Sequence, residues 1–328
     1  MAWAHVEGPG AADTACDLVA AAIAEEYLRR DPASLLNIRV SGGHGVLFVA
    51  GEIKSQADFD VAAVVRRTLG RIDPALSAEP FISIEQMGES AVFAGSRPLT
   101  VHGYATSESD SLNPKALDLA QRAAQALEYR RLNDSDWFWL PADYGVGIRF
   151  DKNRSLVHIR LGSASVAGAD EMRIRLHDAV GNIVPNLDLR LSVGSDAKGS
   201  SLMSNIGSSG RTLSVMRTSA KLPISPDGVG RQIAHPANLG AWYARAAARQ
   251  LVRAGLGKAV MVEVDWMPFD AKPQPPRARN EKGEDLSSKL DASRFDLASP
   301  PLGWNEARLL SSFVRAPFDT LSVLPWES

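Results

Sequence analysis

The chain has 328 residues, of which 45% are hydrophobic and 23% charged, a composition typical of a globular protein with a large core. Its formal net charge of -2 gives no electrostatic reason to expect binding to nucleic acid or a membrane surface. The single cysteine, Cys16, excludes a disulfide within the chain, and no apolar run approaches the ~20 residues of a membrane-spanning helix. These features predict a cytoplasmic protein.

The first predicted element is an amphipathic helix over residues 12–30. Cys16, Val19, Ile23 and Tyr27 form one apolar stripe, so Cys16 is expected to be a buried thiol. The next elements are predicted as a strand, a strand, a helix and a strand, at residues 36–42, 45–53, 57–72 and 81–86.

The same order of elements recurs. A second copy opens with Asn113 and Pro114 at a helix start and has a helix, two strands, a helix and a strand, at residues 113–131, 144–151, 156–166, 169–180 and 186–194. A third, less complete copy has a helix, a strand and a helix, at residues 236–257, 258–269 and 305–314. The repetition predicts an α+β protein of three pseudo-symmetric repeats of mixed β-sheet with helices on one face. The predicted units are 1–105, 106–200, and a loop plus the third repeat over 201–328.

Two segments fall outside the repeating pattern. Residues 203–238 are rich in Gly, Ser and basic residues and are too long for a simple connector, which predicts a functional loop. Residues 271–297 are Pro-rich and charged, which predicts a mobile surface excursion.

Few residues form a recognisable chemical motif. The six histidines are dispersed without metal-ligand spacing, and structural or surface roles are expected for them. The best candidate for an anion-binding loop is "GSSGRT", where Gly210 lets the backbone approach a ligand and Arg211 is placed to bind a phosphate; a solvated turn is the alternative. Arg231, in "DGVGRQ", is a similar candidate.

Two acidic residues are candidate metal ligands. Asp13 lies in the first turn of the first helix, where a capping or dipole-stabilising role is the usual alternative. Glu52 ends a predicted strand in "VAGEI", where solvent exposure is the usual state.

Several segments resemble, in the same order, motifs of the S-adenosylmethionine synthetase (methionine adenosyltransferase) family. "GPGAADTACDLVAAAI" is similar to the family's G-H-P-D-K-x-C-D loop and following helix. Further resemblances, spread over nearly the whole chain, are "VLFVAGEI", "HGYATSESDSLNPKALDLAQRAAQAL", "NIGSSGRT", "LGAWYARAAARQLVRAGLG" and "LPWES". The resemblance implies a fold of three pseudo-symmetric α+β units, an active site at a dimer interface, and ATP and methionine as substrates.

The resemblance also implies roles for the residues that match. Asp13 would bind magnesium, Glu52 would bind a monovalent cation (potassium), Arg211 would bind phosphate beside Gly210, and Arg231 would stand in for a phosphate-binding lysine.

Other positions depart from the family pattern. Ala11 replaces the loop histidine, Thr14 and Thr212 replace lysines, and Arg97 replaces an aspartate that precedes the G-Y-A-T segment. Arg97 is a new cation at this position and is therefore a further candidate for binding the ligand. Losing one donor aimed at developing charge costs about 10²–10³ in rate, so losing several predicts that most synthetase activity is gone.

Three functions stay open at this stage. The first is a divergent protein that binds an adenosyl, nucleotide or sulfonium ligand at a dimer interface, with altered or lost S-adenosylmethionine synthesis. The second is a pseudoenzyme subunit that forms a hetero-oligomer with a true synthetase and regulates it. The third is an active synthetase with rearranged catalytic residues; a scaffold without a ligand is the remaining possibility. Magnesium and potassium are the expected cofactors if Asp13 and Glu52 keep the implied roles, and a homodimer is the expected assembly.

Overall fold

A computed structural model describes residues 3–88, 97–151, 154–162, 167–194, 201–211, 228–270, 272–315 and 324–327. The strands within these ranges are β1 Trp3–Glu7, β2 Leu35–Gly43, β3 Val46–Lys54, β4 Glu79–Gln86, β5 Leu99–Thr106, β6 Tyr144–Asp151, β7 Arg154–Leu161, β8 Leu187–Val193, β9 Ile206–Ser208, β10 Ala259–Trp266 and β11 Arg277–Asn280. The helices are α1 Ala12–Arg30, α2 Val61–Ile72, α3 Lys115–Asn133, α4 Ala169–Gly181, α5 Ser201–Ser204, α6 Ala241–Arg253 and α7 Leu309–Arg315.

The strands form three sheets. The first sheet has the order β4-β3-β2-β9, the second β1-β6-β7-β8, and the third β11-β10-β5. In the first sheet β3 and β4 are parallel, and in the second β7 and β8 are parallel; the remaining pairs are antiparallel. The predicted α+β fold with mixed sheets is therefore confirmed.

Each sheet combines strands that are distant in the sequence. β1 precedes α1 but pairs with β6, with Val6 opposite Val146. β5 pairs with β10, with Val101 opposite Val264. The sequence patterns did not predict the short strands β1, β9 and β11, or β5. The repeat boundaries 1–105, 106–200 and 201–328 stay a prediction. They do not coincide with separate sheets, because β1 pairs with β6 and β5 pairs with β10 across them.

Helix α1 lies at the centre of the core. It packs against β2, α2, α7 and β9, and most of its side chains are buried, including Ala15, Val19 and Ile23. The expected burial of Cys16 is confirmed. Burial, together with the charges of Asp17 and Asp13, raises the pKa of the Cys16 thiol to about 12, so the thiolate is absent at neutral pH.

The segment 271–297 belongs to the packed third sheet at its described positions. β11 pairs with β10, and Ala278, Phe295 and Leu297 are buried. The prediction of a mobile surface excursion is therefore wrong at these positions. The sequence misled because the few apolar residues that anchor the segment are surrounded by charged and proline residues. Among the described helices, none is both long enough and apolar enough to span a bilayer.

Candidate functional site

The loop before α1 is held tightly against the second sheet. The Gly8 amide donates to the Tyr144 carbonyl at 2.6 Å, and the Gly10 amide donates to the Ala142 carbonyl at 2.9 Å. A Cβ at Gly10 would lie 2.6 Å from the carbonyl carbon of Ala142, so the backbone approach requires glycine. The following Ala11 and Thr14 are buried. The loop thus presents no charged side chain at these two positions.

The predicted anion loop meets the start of α1. The Ser208 amide donates to Asp13 Oδ1 at 2.8 Å, and the Gly210 amide donates to Asp17 Oδ1 at 2.7 Å. A Cβ at Gly207 would lie 2.1 Å from the Ala12 carbonyl oxygen. Two segments that the sequence singled out separately, nearly 200 residues apart, therefore form one structural unit.

Asp13 and Arg211 lie at the surface of this unit. The Arg211 Nη1 atom is 3.5 Å from Asp13 Oδ1, and the Arg211 side chain is 64% exposed. The guanidinium is therefore accessible to an anionic ligand. Oδ1 of Asp13 also accepts the Ser208 N–H, so this carboxylate fixes the 206–211 loop to α1. It does not cap the helix, because the N-cap position of α1 is Ala11 and no side chain caps it.

The same residues bear on metal binding. Within the described ranges no cluster of three or more His, Cys, Asp or Glu residues is placed to hold a metal ion. Magnesium commonly binds through only one or two carboxylates together with waters and substrate phosphates. Asp13 Oδ1 already accepts the Ser208 N–H and lies 3.5 Å from the Arg211 guanidinium, and magnesium binding at Asp13 stays a prediction.

Arg231 and Glu52 lie in one row on the first sheet. Arg231 forms an isolated antiparallel bridge with Asn37 in β2, and Asn37 is opposite Glu52 in β3. Residues opposite each other in a sheet share a face, so the Glu52 and Arg231 side chains are about two strand spacings apart, roughly 10 Å. Glu52 is exposed, as expected for the end of this strand.

His235 is a neighbour of Arg231 that the sequence did not single out. His235 is buried just before a π-helical turn at Pro236–Gly240, and its Nδ1 accepts the Ala237 N–H at 3.1 Å. The neutral ring must then carry its proton on Nε2, which lies 3.4 Å from Arg231 Nη1. Both groups are then donors that lie side by side.

The charge around His235 keeps its ring neutral. Burial, followed by the charges of Arg231 and Arg39, lowers the pKa of His235 to about 3. Arg39 Nη1 donates to the Val229 carbonyl at 3.1 Å, which places a second guanidinium beside this cluster. Dispersed histidines and a strand arginine give no sequence signal for such a cluster, because only pairing of the segment 228–231 with β2 assembles it.

Arg97 is the remaining candidate ligand-binding residue, and it lies apart from the Asp13–Arg211 and Arg231–His235 contacts. Arg97 is exposed immediately before β5, and no hydrogen bond or ion pair among the described residues joins it to Asp13, Arg211 or Arg231. Thr212 lies outside the described residues.

Comparison with known proteins gives partial matches. No protein-family model matches the chain. It is 28% identical over 138 residues to the S-adenosylmethionine synthase of Aquifex aeolicus, covering 38% of this chain and 36% of the relative. It is 30% identical over 145 residues to S-adenosylmethionine synthase 1 of Frankia casuarinae, covering 36% of each chain. It is 30% identical over 150 residues to the S-adenosylmethionine synthase of Sorangium cellulosum, covering 39% of this chain and 35% of the relative.

The matched region spans little more than a third of each of these relatives. Several such relatives agree, and the structure has the α+β architecture of mixed sheets covered by helices that the resemblance implied. On these grounds the chain is similar to S-adenosylmethionine synthases over a little more than a third of its length.

Proposed function

We propose that the chain is a divergent family member that binds an adenosyl, nucleotide or sulfonium ligand at a dimer interface, with altered or lost S-adenosylmethionine synthesis. The observation that carries this proposal is the unit formed by α1 and the 206–211 loop. Asp13 and Asp17 hold the loop through the Ser208 and Gly210 amides. Ala11 and Thr14, where the resemblance expects a histidine and a lysine, are buried and uncharged.

Two sets of hydrogen-bond donors lie along β2, and both suit an anionic ligand. One set is Arg211 with its loop, and the other is Arg231 with His235. Ser208 pairs with Ser41, and Arg231 bridges to Asn37, so both sets lie beside the same strand. Four residues of strand span about 13 Å. That spacing suits a ligand with a polyphosphate, or one with two separate anionic groups, bound by Arg211 at one end and by Arg231 with His235 at the other.

The expected loss of S-adenosylmethionine synthesis follows from where negative charge develops during the reaction. Displacement of a triphosphate by a sulfur nucleophile builds negative charge on the leaving oxygens, and positioned cations lower that barrier. Arg211 and Arg231 supply two cations, whereas Ala11 and Thr14 supply none. A magnesium ion at Asp13 would add positive charge beside the bound phosphates. Binding is therefore expected to survive better than turnover.

Exposed apolar side chains support a dimer. Phe48 and Phe81 stack on the outer face of the first sheet with ring centroids 5.4 Å apart, and each is about half exposed. Ile206 is exposed in β9, which β2 separates from β3 in the same sheet. Exposed apolar patches such as the Phe48–Phe81 pair mark interaction surfaces.

Calorimetry with ATP, S-adenosylmethionine and adenosine tests the proposal. At least one of the three is expected to bind, and R211Q is expected to weaken that binding about tenfold by removing charged hydrogen bonds. R308Q is the matched control, because Arg308 is an exposed arginine whose described ion pair is with Glu306. Absence of binding for all three ligands contradicts the proposal.

Assays of the intact chain separate the alternatives. With ATP and methionine, little S-adenosylmethionine or phosphate is expected to form. Turnover at the rate of a working synthase would instead support an active enzyme with rearranged residues. Co-purification with a catalytically competent paralogue, together with stimulation of its activity, would support the regulatory subunit.

A further inference from the structure

A polar groove of about 890 Å³ runs over the outer face of the second sheet. Its lining includes Trp3 and His5 of β1, Gly147 and Arg149 of β6, His158 of β7, and Arg190 of β8. None of these residues belongs to the Asp13–Arg211 unit or to the Arg231–His235 cluster on the first sheet. The volume is in the range of small-molecule sites.

Gly147 forms the floor of the groove. It lies between His5 and His158, which are its partners on the two neighbouring strands. A Cβ at this position would meet its nearest atom, His5 Nδ1, at 3.5 Å, an ordinary contact. Packing within the chain therefore does not require glycine here, although glycine weakens a strand interior. An open floor of this kind is typical of a strand that a ligand approaches closely.

One wall of the groove is held rigidly. The rings of Trp3 and His5 are parallel within 3°, with centroids 6.0 Å apart. His5 Nε2 donates to Glu7 at 2.6 Å, and Arg160 bridges Glu7 to the buried Asp143, at 2.7 Å to each carboxylate. Gly145 lets His5 lie against the sheet, since a Cβ there would be 2.9 Å from His5 Cε1. The other wall, His158, is about two strand spacings away, roughly 10 Å, which leaves room for one planar ring.

Arginines border this groove. Arg149 is opposite Trp3, and Arg190 is beside His158 in the register of β7 and β8. Among the described side chains no ion pair engages either guanidinium. Arg173 and two carboxylates, Asp170 and Asp188, also line the groove. Three guanidiniums against two carboxylates leave a positive excess, which favours an anionic occupant.

We propose that this groove binds a small aromatic anion, a planar ring that bears a phosphate or carboxylate. The ring lies over Gly147 between the Trp3–His5 wall and His158, and Arg149 and Arg190 hold the anionic group. Aromatic side chains favour stacked or edge contacts with such a ring, and guanidiniums match the geometry of both anions.

Calorimetry with phenyl phosphate on the intact chain tests the inference. One equivalent is expected to bind, more tightly than inorganic phosphate, because the ring adds stacking contacts. G147V is expected to abolish this binding by filling the floor, and R190Q to weaken it about tenfold or more. R211Q is expected to leave it unchanged, so this result does not depend on the proposed function at the first sheet.

Folding and assembly are monitored in the same samples. G147A is expected to keep the thermal unfolding midpoint near that of the wild type, since the position has room for a Cβ. The midpoint of G147V is measured alongside, to show that a loss of binding in G147V does not come from unfolding. Absence of phenyl phosphate binding overturns the inference. The inference is also overturned if R211Q removes the binding while G147A, G147V and R190Q leave it intact. A change of oligomeric state in G147V also overturns it, because the face would then be an interface between copies.

Discussion

The carboxylate of Asp17 accepts a 2.7 Å hydrogen bond from the backbone amide of Gly210, a residue 193 positions later in the chain. Asp17 is fully buried in α1, and Gly210 has a positive φ of 87° that suits glycine. This contact fixes the predicted anion loop to the start of the central helix. Any ligand held by Arg211 therefore depends on a helix that belongs to the core.

Asp17→Ala is expected to destabilise the protein by about 1–3 kcal/mol, because the Gly210 amide loses its acceptor. D17N keeps an acceptor oxygen and should recover part of the loss. Urea unfolding measures both changes. D178N is the matched control, since Asp178 is 76% exposed, and a similar loss in D178N would contradict the assignment.

Two glycines are expected to respond to alanine in opposite directions. A Cβ at Gly103 in β5 would lie 2.0 Å from the backbone of Ala244 in α6, so G103A must push the helix off the third sheet. Overpacking of this kind typically costs about 1–3 kcal/mol or more. Gly70 in α2 has no atom near its Cβ position, and G70A is expected to stabilise by about 0.4–1 kcal/mol. Thermal unfolding midpoints should move down and up respectively; equal shifts would show that α6 does not pack closely on β5.

The buried His235 predicts a dependence of stability on pH. Its pKa is about 3 in the folded protein, against an ordinary value of 6.5. Between these pH values the unfolded chain binds a proton that the folded protein does not. The free energy of unfolding therefore falls as the pH drops from 6.5 towards 3, by up to ~1.4 kcal/mol per pH unit.

H235N tests this dependence. Asparagine keeps an acceptor for the Ala237 amide and removes the titration, so its stability should fall less steeply with acid than that of the wild type. Urea unfolding between pH 7 and pH 4 compares the slopes. H177N, at an exposed histidine, should follow the wild type. Parallel profiles for wild type and H235N would exclude a neutral buried imidazole.

The carboxylate of Glu327 is expected to stabilise the contact between α6 and residues 324–327. Its Oε2 accepts from Arg249 Nη1 at 2.7 Å and from Arg245 Nη2 at 3.0 Å, and the Arg249 side chain is only 4% exposed. Burial lowers the pKa of Arg249 to about 10. The negative charge of Glu327 opposes this lowering and the positive charge of Arg245 adds to it. Arg249 is therefore charged at neutral pH. Removing the partner of a buried charge typically costs about 3–5 kcal/mol.

E327A is therefore expected to lose several times more stability in urea than E306A. Glu306 pairs with Arg308, which is 75% exposed, and such surface pairs contribute about 0–1 kcal/mol. A further check is the stacking of Trp326 on Trp242, whose rings are 4.0 Å apart, because near-ultraviolet circular dichroism should change in E327A. Equal losses in the two variants would contradict a stabilising role for the Glu327 carboxylate.

The sequence alone predicted the long helices and most of the strands between them, although β5, between α2 and α3, was missed. The stripe from Cys16 to Tyr27 predicted α1, whose observed bounds agree with the predicted range 12–30, and the α+β class followed from the order of elements. These features are local, since helical periodicity and capping residues act within a few turns. The glycine and serine content of the 206–211 loop also predicted an anion-binding segment or a solvated turn, and anion binding there stays a prediction.

Only the tertiary structure decided which strands pair and which side chains meet. β1 and β9 have five and three residues, too few to show a periodic pattern, and their partners lie far along the chain. The tautomer of His235, its meeting with Arg231 and the open floor at Gly147 all depend on such pairing. Burial of distant strands against a common core sets these contacts, and no local pattern encodes them.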